Sequence, residues 1–85
     1  MELGGTRCGM LASRVAYNES VMTLHLSRKQ ISDHEGYDIA RMLLTNNHLR
    51  KLELEGNNMG TNSAFALGRV LAKNTGLKSL DLESN

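Results

Sequence analysis

The apolar residues of this chain follow one pattern that returns every 28 residues. Its three copies are Val21, Leu24 and Leu26; Leu49, Leu52 and Leu54; and Leu77, Leu80 and Leu82. Three residues after each copy stands Lys29, Asn57 or Asn85. A fixed period in this range is typical of proteins built from stacked repeats, in which a single unit cannot bury its apolar side alone.

The spacing within each copy predicts the secondary structure. Alternating apolar and polar residues predict short strands over 21–27, 50–55 and 78–83. Apolar residues three and four positions apart predict helices over 5–17, 33–46 and 61–74. We expect Ser32 or Asp33 to cap the second helix and Thr61 or Asn62 to cap the third.

The helices have the same period as the strands. Their matching columns are Leu11, Ile39 and Leu67; Val15, Leu43 and Leu71; and Asn18, Asn46 and Asn74. Strands joined by helices become parallel through right-handed crossovers, and parallel strands lie about 4.8 Å apart. The pattern therefore predicts two ladders of leucines inside a shared core, with the helices packed over the strands. Phe65 is expected among the apolar residues of the third helix, and Met10, Met22, Met42 and Met59 in or beside the core.

The strands are followed by bends in which an asparagine amide can both donate to and accept from the neighbouring backbone. We expect Asn57 and Asn85 to do this. Lys29 stands in the same column, so the bend after the first strand is expected to be distorted or satisfied differently.

Composition narrows the class of protein. Eighty-five residues allow one small domain. A net charge of +1 indicates neither a nucleic-acid-binding protein nor an acidic tail. The single cysteine excludes an internal disulfide framework. No apolar run reaches the ~18 residues of a membrane span, and the first residues have no signal-peptide core. We expect a cytoplasmic protein that binds neither membranes nor nucleic acid.

The frame Leu-x-x-Leu-x-Leu-x-x-Asn-x-hydrophobic-Gly, followed by a helix that ends in Asn, resembles the leucine-rich repeat of ribonuclease-inhibitor type. The segments LRKLELEGNNMG and LKSLDLESN resemble repeats of RanGAP-like proteins, NOD-like receptors and tropomodulins. The resemblance covers Leu3 to Asn85. It implies an α/β solenoid with three parallel strands on a concave face and three helices on a convex face. It also implies that the usual role is to bind another protein.

Divided by its period, the chain is one repeat segment with a partial repeat over 1–20, repeats over 21–48 and 49–76, and a partial repeat over 77–85. It starts after a missing strand and ends before a missing helix, without the polar caps that solenoids usually need. We expect a fragment of a longer array, or an arc that covers its open ends against another chain.

The strand residues that point away from the helices define the candidate binding surface. The predicted contacts are His25, Lys51, Glu53, Glu55, Asp81 and Glu83. Glu53 should lie beside Asp81, and Glu55 beside Glu83, at the strand spacing. Such a block of carboxylates should raise the pKa of one member and attract a basic protein surface. The competing interpretation is an ordinary solvated strand face, with Lys51 and Lys78 offsetting part of the charge.

The sequence contains little that indicates a metal, catalytic or cofactor site. The three histidines, His25, His34 and His48, share no metal-ligand spacing, although His25 should neighbour Glu53. Cys8 lies beside the apolar face of its helix and is more simply a small core residue than a nucleophile. No phosphate-binding loop, dinucleotide motif or CxxC pair is present, and the acidic strand residues lack the glycine and ligand spacing of a calcium loop. We expect no catalytic residue, no metal and no cofactor.

Two hypotheses about function follow. The first is a non-catalytic module that binds a partner protein through the concave strands and the loops after them. The second is a structural spacer in a longer solenoid, or an arc that associates with itself through uncapped ends and has no dedicated ligand.

Overall fold

A computed structural model describes residues 6–85 and contains three helices and three strands in strict alternation. In chain order these are α1 (Thr6–Ala16), β1 (Thr23–His25), α2 (Asp33–Thr45), β2 (Lys51–Glu53), α3 (Thr61–Leu71) and β3 (Ser79–Asp81). The strands form one parallel sheet in the order β1-β2-β3. The fold is therefore the predicted α/β solenoid of 28-residue units.

The register of the sheet follows the sequence period. Leu24 pairs with Leu52, and Leu52 pairs with Leu80, so equivalent leucines of the three repeats form one ladder. Leu52 and Leu54 on the central strand segment are fully buried. The helices pack side by side over this ladder, with α2 between α1 and α3, and their buried stripe includes Ile39 and Leu67.

Asparagines tie successive repeats together. The side-chain amide of Asn57 donates to the carbonyl oxygens of Leu26 and Leu54, each at 2.9 Å. Its Oδ1 accepts from the backbone N–H groups of Lys29 at 2.9 Å and Ile31 at 3.1 Å. One side chain thus satisfies three backbone groups of the bend in the preceding repeat and the carbonyl of Leu54 in its own repeat. Asn46 follows α2 and Asn74 follows α3. The side-chain amide of each donates to two carbonyl oxygens of the preceding repeat, and its Oδ1 accepts from two backbone N–H groups of its own loop.

The N-cap of α2 is one of the two predicted residues, whereas the N-cap of α3 differs from the prediction. Ser32 is the N-cap of α2, and its backbone N–H and hydroxyl both donate to Oε1 of Glu35. Asp33 instead caps the following helix, because its Oδ1 accepts from the N–H groups of Gly60 at 2.8 Å and Ser63 at 3.0 Å. The expected capping of α3 by Thr61 or Asn62 is therefore wrong: the N-cap is Gly60, which has no side chain to offer.

The bends after the strands share one left-handed residue. Arg28, Gly56 and Ser84 occupy the same column and have φ of 56°, 68° and 59°. The first bend has an additional left-handed residue, Gln30, with φ of 59°. Here Lys29 replaces the asparagine and contributes its backbone N–H to Asn57, so this bend is built differently from the next.

Some apolar residues lie outside the core. Met42 and Met59 are buried as predicted, but Met10 and Met22 are exposed, and Phe65 is 69% exposed. Phe65 lies two residues before buried Leu67, so it lies on a different side of the helix. Within residues 6–85, no helix is long and apolar enough to cross a membrane.

Candidate functional site

The six predicted contact residues lie on neighbouring strands or directly after them. Strand pairing places His25 opposite Glu53, and Glu53 opposite Asp81. Glu55 and Glu83 follow two residues later, and the N–H of Gly56 donates to the carbonyl of Glu83 at 2.9 Å, which continues the ladder past the strand ends. The parallel register therefore brings all four carboxylates to one end of one sheet face.

Glu53 is neutralised within the chain. Its Oε2 lies 2.8 Å from Nδ1 of His25, and its Oε1 lies 3.4 Å from Nζ of Lys51. The hydrogen bond from His25, supported by Lys51, lowers the pKa of the Glu53 carboxyl. Glu53 is therefore not the member of the acidic block whose pKa is raised, because the side chains of His25 and Lys51 both contact its carboxylate.

The remaining acidic residues form a tighter group. One carboxylate oxygen from each of Glu55, Asp81 and Glu83 lies within 4.8 Å of the others. Oε1 of Glu55 also pairs with the guanidinium of Arg28 at 3.1 Å. Among the described residues, no cation lies within ion-pairing distance of Asp81 or Glu83. Their negative charge faces solvent, where a partner's cations can reach it.

Three carboxylates at this spacing are also able to surround a cation. A metal ion there would compete with Arg28 for Glu55, and acidic groups on exposed surfaces are common without an ion. The expectation that the chain binds no metal stays a prediction.

The comparisons with known proteins match this architecture. A family described as "Leucine Rich repeat" matches residues 45–68, the segment that contains β2, the bend at Asn57 and most of α3. A solved structure named "Leiomodin-1 Actin-Binding Site 2 (ABS2)" aligns with 100% of the chain at a TM-score of 0.88 and 20% sequence identity. The chain therefore has a leucine-rich repeat fold.

The likeness to the leiomodin-1 structure concerns the fold, because 20% identity is too low to carry over residue roles. The chain covers 54% of the length of that structure's chain. No curated protein matches the sequence. The function of this protein therefore has to be argued from its own surface.

Sequence reasoning missed Arg28 as a member of the site. It stands in the bend column with Gly56 and Ser84, where a side chain is not expected to reach the sheet face. The left-handed backbone at Arg28 turns its side chain over Gly56, where an added Cβ would lie 2.9 Å from Cγ of Arg28. The signal in the sequence was an arginine at a position that glycine fills in the next repeat.

The other titratable residues lie away from this face. His48 lies 4.0 Å from a carboxylate oxygen of Glu19 in the loops before the strands. Cys8 is buried against α2, and its thiol donates to the carbonyl of Glu35 at 3.6 Å. Burial, together with the negative charges of Asp38 and Glu35, raises the pKa of the Cys8 thiol to about 11. The thiol is thus held in its protonated, unreactive form at neutral pH.

Proposed function

We propose that this leucine-rich repeat protein is a non-catalytic interaction module that binds a partner protein through its concave strand face. The observation that carries the proposal is the pair Asp81 and Glu83, whose charges have no cation beside them in the described part of the chain. A lysine or arginine on a partner protein would form an ion pair with each of these two carboxylates. Charge of this kind governs the rate and specificity of association more than the affinity.

The six predicted contacts divide into two roles in this proposal. Asp81 and Glu83 contact the partner's cations directly. Glu53 is held by His25 and Lys51 and presents a locally neutral, ordered surface, and Glu55 is shared with Arg28. The partner therefore needs a compact basic patch that lies over β3. Beside this patch it needs polar groups that can hydrogen-bond to the paired side chains of β1 and β2.

Actin is the first partner to test, since the leiomodin-1 structure of the same fold is named as an actin-binding site. A cytoplasmic location, which the single cysteine favours, is consistent with such a partner and stays a prediction.

The test uses the immobilised protein to capture partners from a cell lysate, with actin quantified separately by immunoblot and other proteins by mass spectrometry. The double variant Asp81→Lys with Glu83→Lys should lose the captured partner. Glu19→Lys makes the same chemical change on an exposed loop residue away from the sheet and should leave capture unchanged. If the double variant captures the same proteins in the same amounts, the concave face is not the contact surface.

The alternative function is that of a spacer or a self-associating arc. The observation that favours it is the exposed apolar surface at the β3 edge of the sheet. Leu82 is partly exposed there, beside a cleft lined by Met59, Ala64 and Leu67. Sedimentation velocity of the isolated chain at several concentrations separates the two functions. A monomer at all concentrations and salt levels would contradict self-association.

A further inference from the structure

The convex side of the molecule carries a groove between α2 and α3 that the proposed function does not use. It encloses about 730 Å³. Its apolar surface comes from six side chains on the two helices and at the end of α3: Tyr37, Ala40, Leu44, Ala66, Val70 and Ala72. The alanines Ala40 and Ala66 line the groove, one from each helix.

The apolar surface of the groove is partly open to water. Ala40 and Val70 are buried at its floor, whereas Tyr37 is 46% and Leu44 is 56% exposed along its side. Both exposed residues lie on α2, seven positions apart, which places them on one face of the helix. An apolar side chain of a partner that binds in this groove would remove apolar surface of both molecules from water, which favours association.

The groove is lined by basic side chains. Arg41, Arg69 and Lys73 all border it, and Asp38 is the acidic residue there. Among the described residues, none of these three cations has a carboxylate within ion-pairing distance. On the concave face the opposite holds, because His25, Arg28 and Lys51 are all paired.

The near-zero net charge of the chain therefore hides two surfaces of opposite character. The helix dipole favours cations in the last turn of a helix, which accounts in part for Arg69 on α3 but not for Arg41, which precedes the last turn of α2. It gives no reason for the exposed apolar residues between them. An apolar floor bordered by unpaired cations is complementary to an amphipathic segment with acidic flanks.

We propose that the groove between α2 and α3 binds an acidic amphipathic helix of a partner protein. In this mode the helix places apolar residues at i, i+3, i+4 and i+7 into the groove. Glutamates or aspartates on its flanks then pair with Arg41 on one side and with Arg69 and Lys73 on the other. An anionic membrane fits less well, because a flat lipid surface cannot reach Ala40 and Val70 at the groove floor.

The test measures binding of a fluorescein-labelled 18-residue peptide by fluorescence anisotropy. The peptide has leucines at the i, i+3, i+4 and i+7 spacing and glutamates elsewhere, and a peptide of the same composition in scrambled order is its control. We expect saturable binding of the first peptide only, and shifts of the Ala40 and Val70 amide signals in NMR spectra. Arg41→Glu with Arg69→Glu should weaken binding about tenfold, since two exposed ion pairs become repulsive.

Matched variants distinguish binding in the groove from nonspecific hydrophobic binding elsewhere on the surface. Leu44→Ser should weaken binding, whereas Phe65→Ser, which removes an even more exposed apolar residue outside the groove, should not. Equal binding of both peptides, equal losses in the two serine variants, or a charge-reversal effect below twofold would overturn the proposal. Capture by phosphatidylserine vesicles without peptide binding would also overturn it, in favour of a membrane. The concave variant Asp81→Lys with Glu83→Lys should bind the peptide normally.

Discussion

Replacement of Asn57 by alanine should remove a large part of the stability of this protein. The side chain is 8% exposed and makes four hydrogen bonds to backbone groups, two as donor and two as acceptor. A net contribution of about 1 kcal/mol for each bond, with buried groups left unpaired, gives a loss of roughly 3–5 kcal/mol. A chain of this length has a total unfolding free energy of about 4–13 kcal/mol.

The assay is urea unfolding followed by circular dichroism at 222 nm, with the free energy obtained by linear extrapolation. Asn85→Ala is the matched control. Asn85 makes similar bonds to Leu54, Leu82 and Met59, but it is exposed, so water replaces its amide and the cost should stay below about 1 kcal/mol.

A milder variant keeps the prediction testable if Asn57→Ala does not fold. Asn57→Asp retains the acceptor for Lys29 and Ile31 and loses both donations to carbonyl oxygens, so its cost should lie between those of the two alanine variants. The reasoning is refuted if Asn57→Ala costs no more than Asn85→Ala, because burial of the four bonds would then have no energetic consequence.

Three further predictions follow from contacts between the helices. Gly36→Ala should destabilise the protein by about 1–3 kcal/mol, because the added Cβ would overlap Oγ of Ser63 and lie 2.9 Å from Cβ of Ser63. Gly68→Ala has open space around the added Cβ and should stabilise the protein by about 0.5–1 kcal/mol. Shifts of the melting temperature in the same direction for both variants would contradict this prediction. The hydrogen bond from Ser63, followed by that from Gly60, lowers the pKa of Asp33 below its ordinary value. Its stabilisation is therefore present above the unfolded pKa and lost as the pH falls through the folded pKa, so Asp33→Asn should flatten the acid side of the stability profile. The buried Cys8 should not react with Ellman's reagent at pH 8 and should react once per chain in urea; equal rates would show that the thiol is accessible in the folded state.

Much of the fold could be predicted because every element is repeated. The columns that contain Leu52 and Ile39 predicted strands, helices and register together, and the structure confirms the pairing of Leu24 with Leu52 and of Leu52 with Leu80. Strand and helix ends were less predictable. The strands are only three residues long, because the left-handed residues in the bends interrupt the extended backbone. Hydrogen bonds between neighbouring repeats nevertheless continue to Arg28 and Gly56.

The concave face was only partly predictable. The neighbours of Glu53 followed from the strand register, since residues 28 apart lie side by side in every repeat. The pairing of Arg28 with Glu55 did not follow, because it depends on a left-handed backbone at a position where the next repeat has glycine. Phe65 shows the same limit, since its apolar character suggested burial while its angular position on α3 left it exposed.

The sequence by itself determined the period, the order of the elements, the leucine ladder and the leucine-rich repeat fold. These are properties of one unit copied along the chain, so local patterns are enough to specify them. Only the tertiary structure decided which contacts join one unit to the next. Asp33 caps α3 rather than its own helix, and the cations along α2 and α3 border one groove without partners among the described residues. Such contacts depend on the lateral offset between stacked helices, and the spacing of residues within a single helix does not contain that offset.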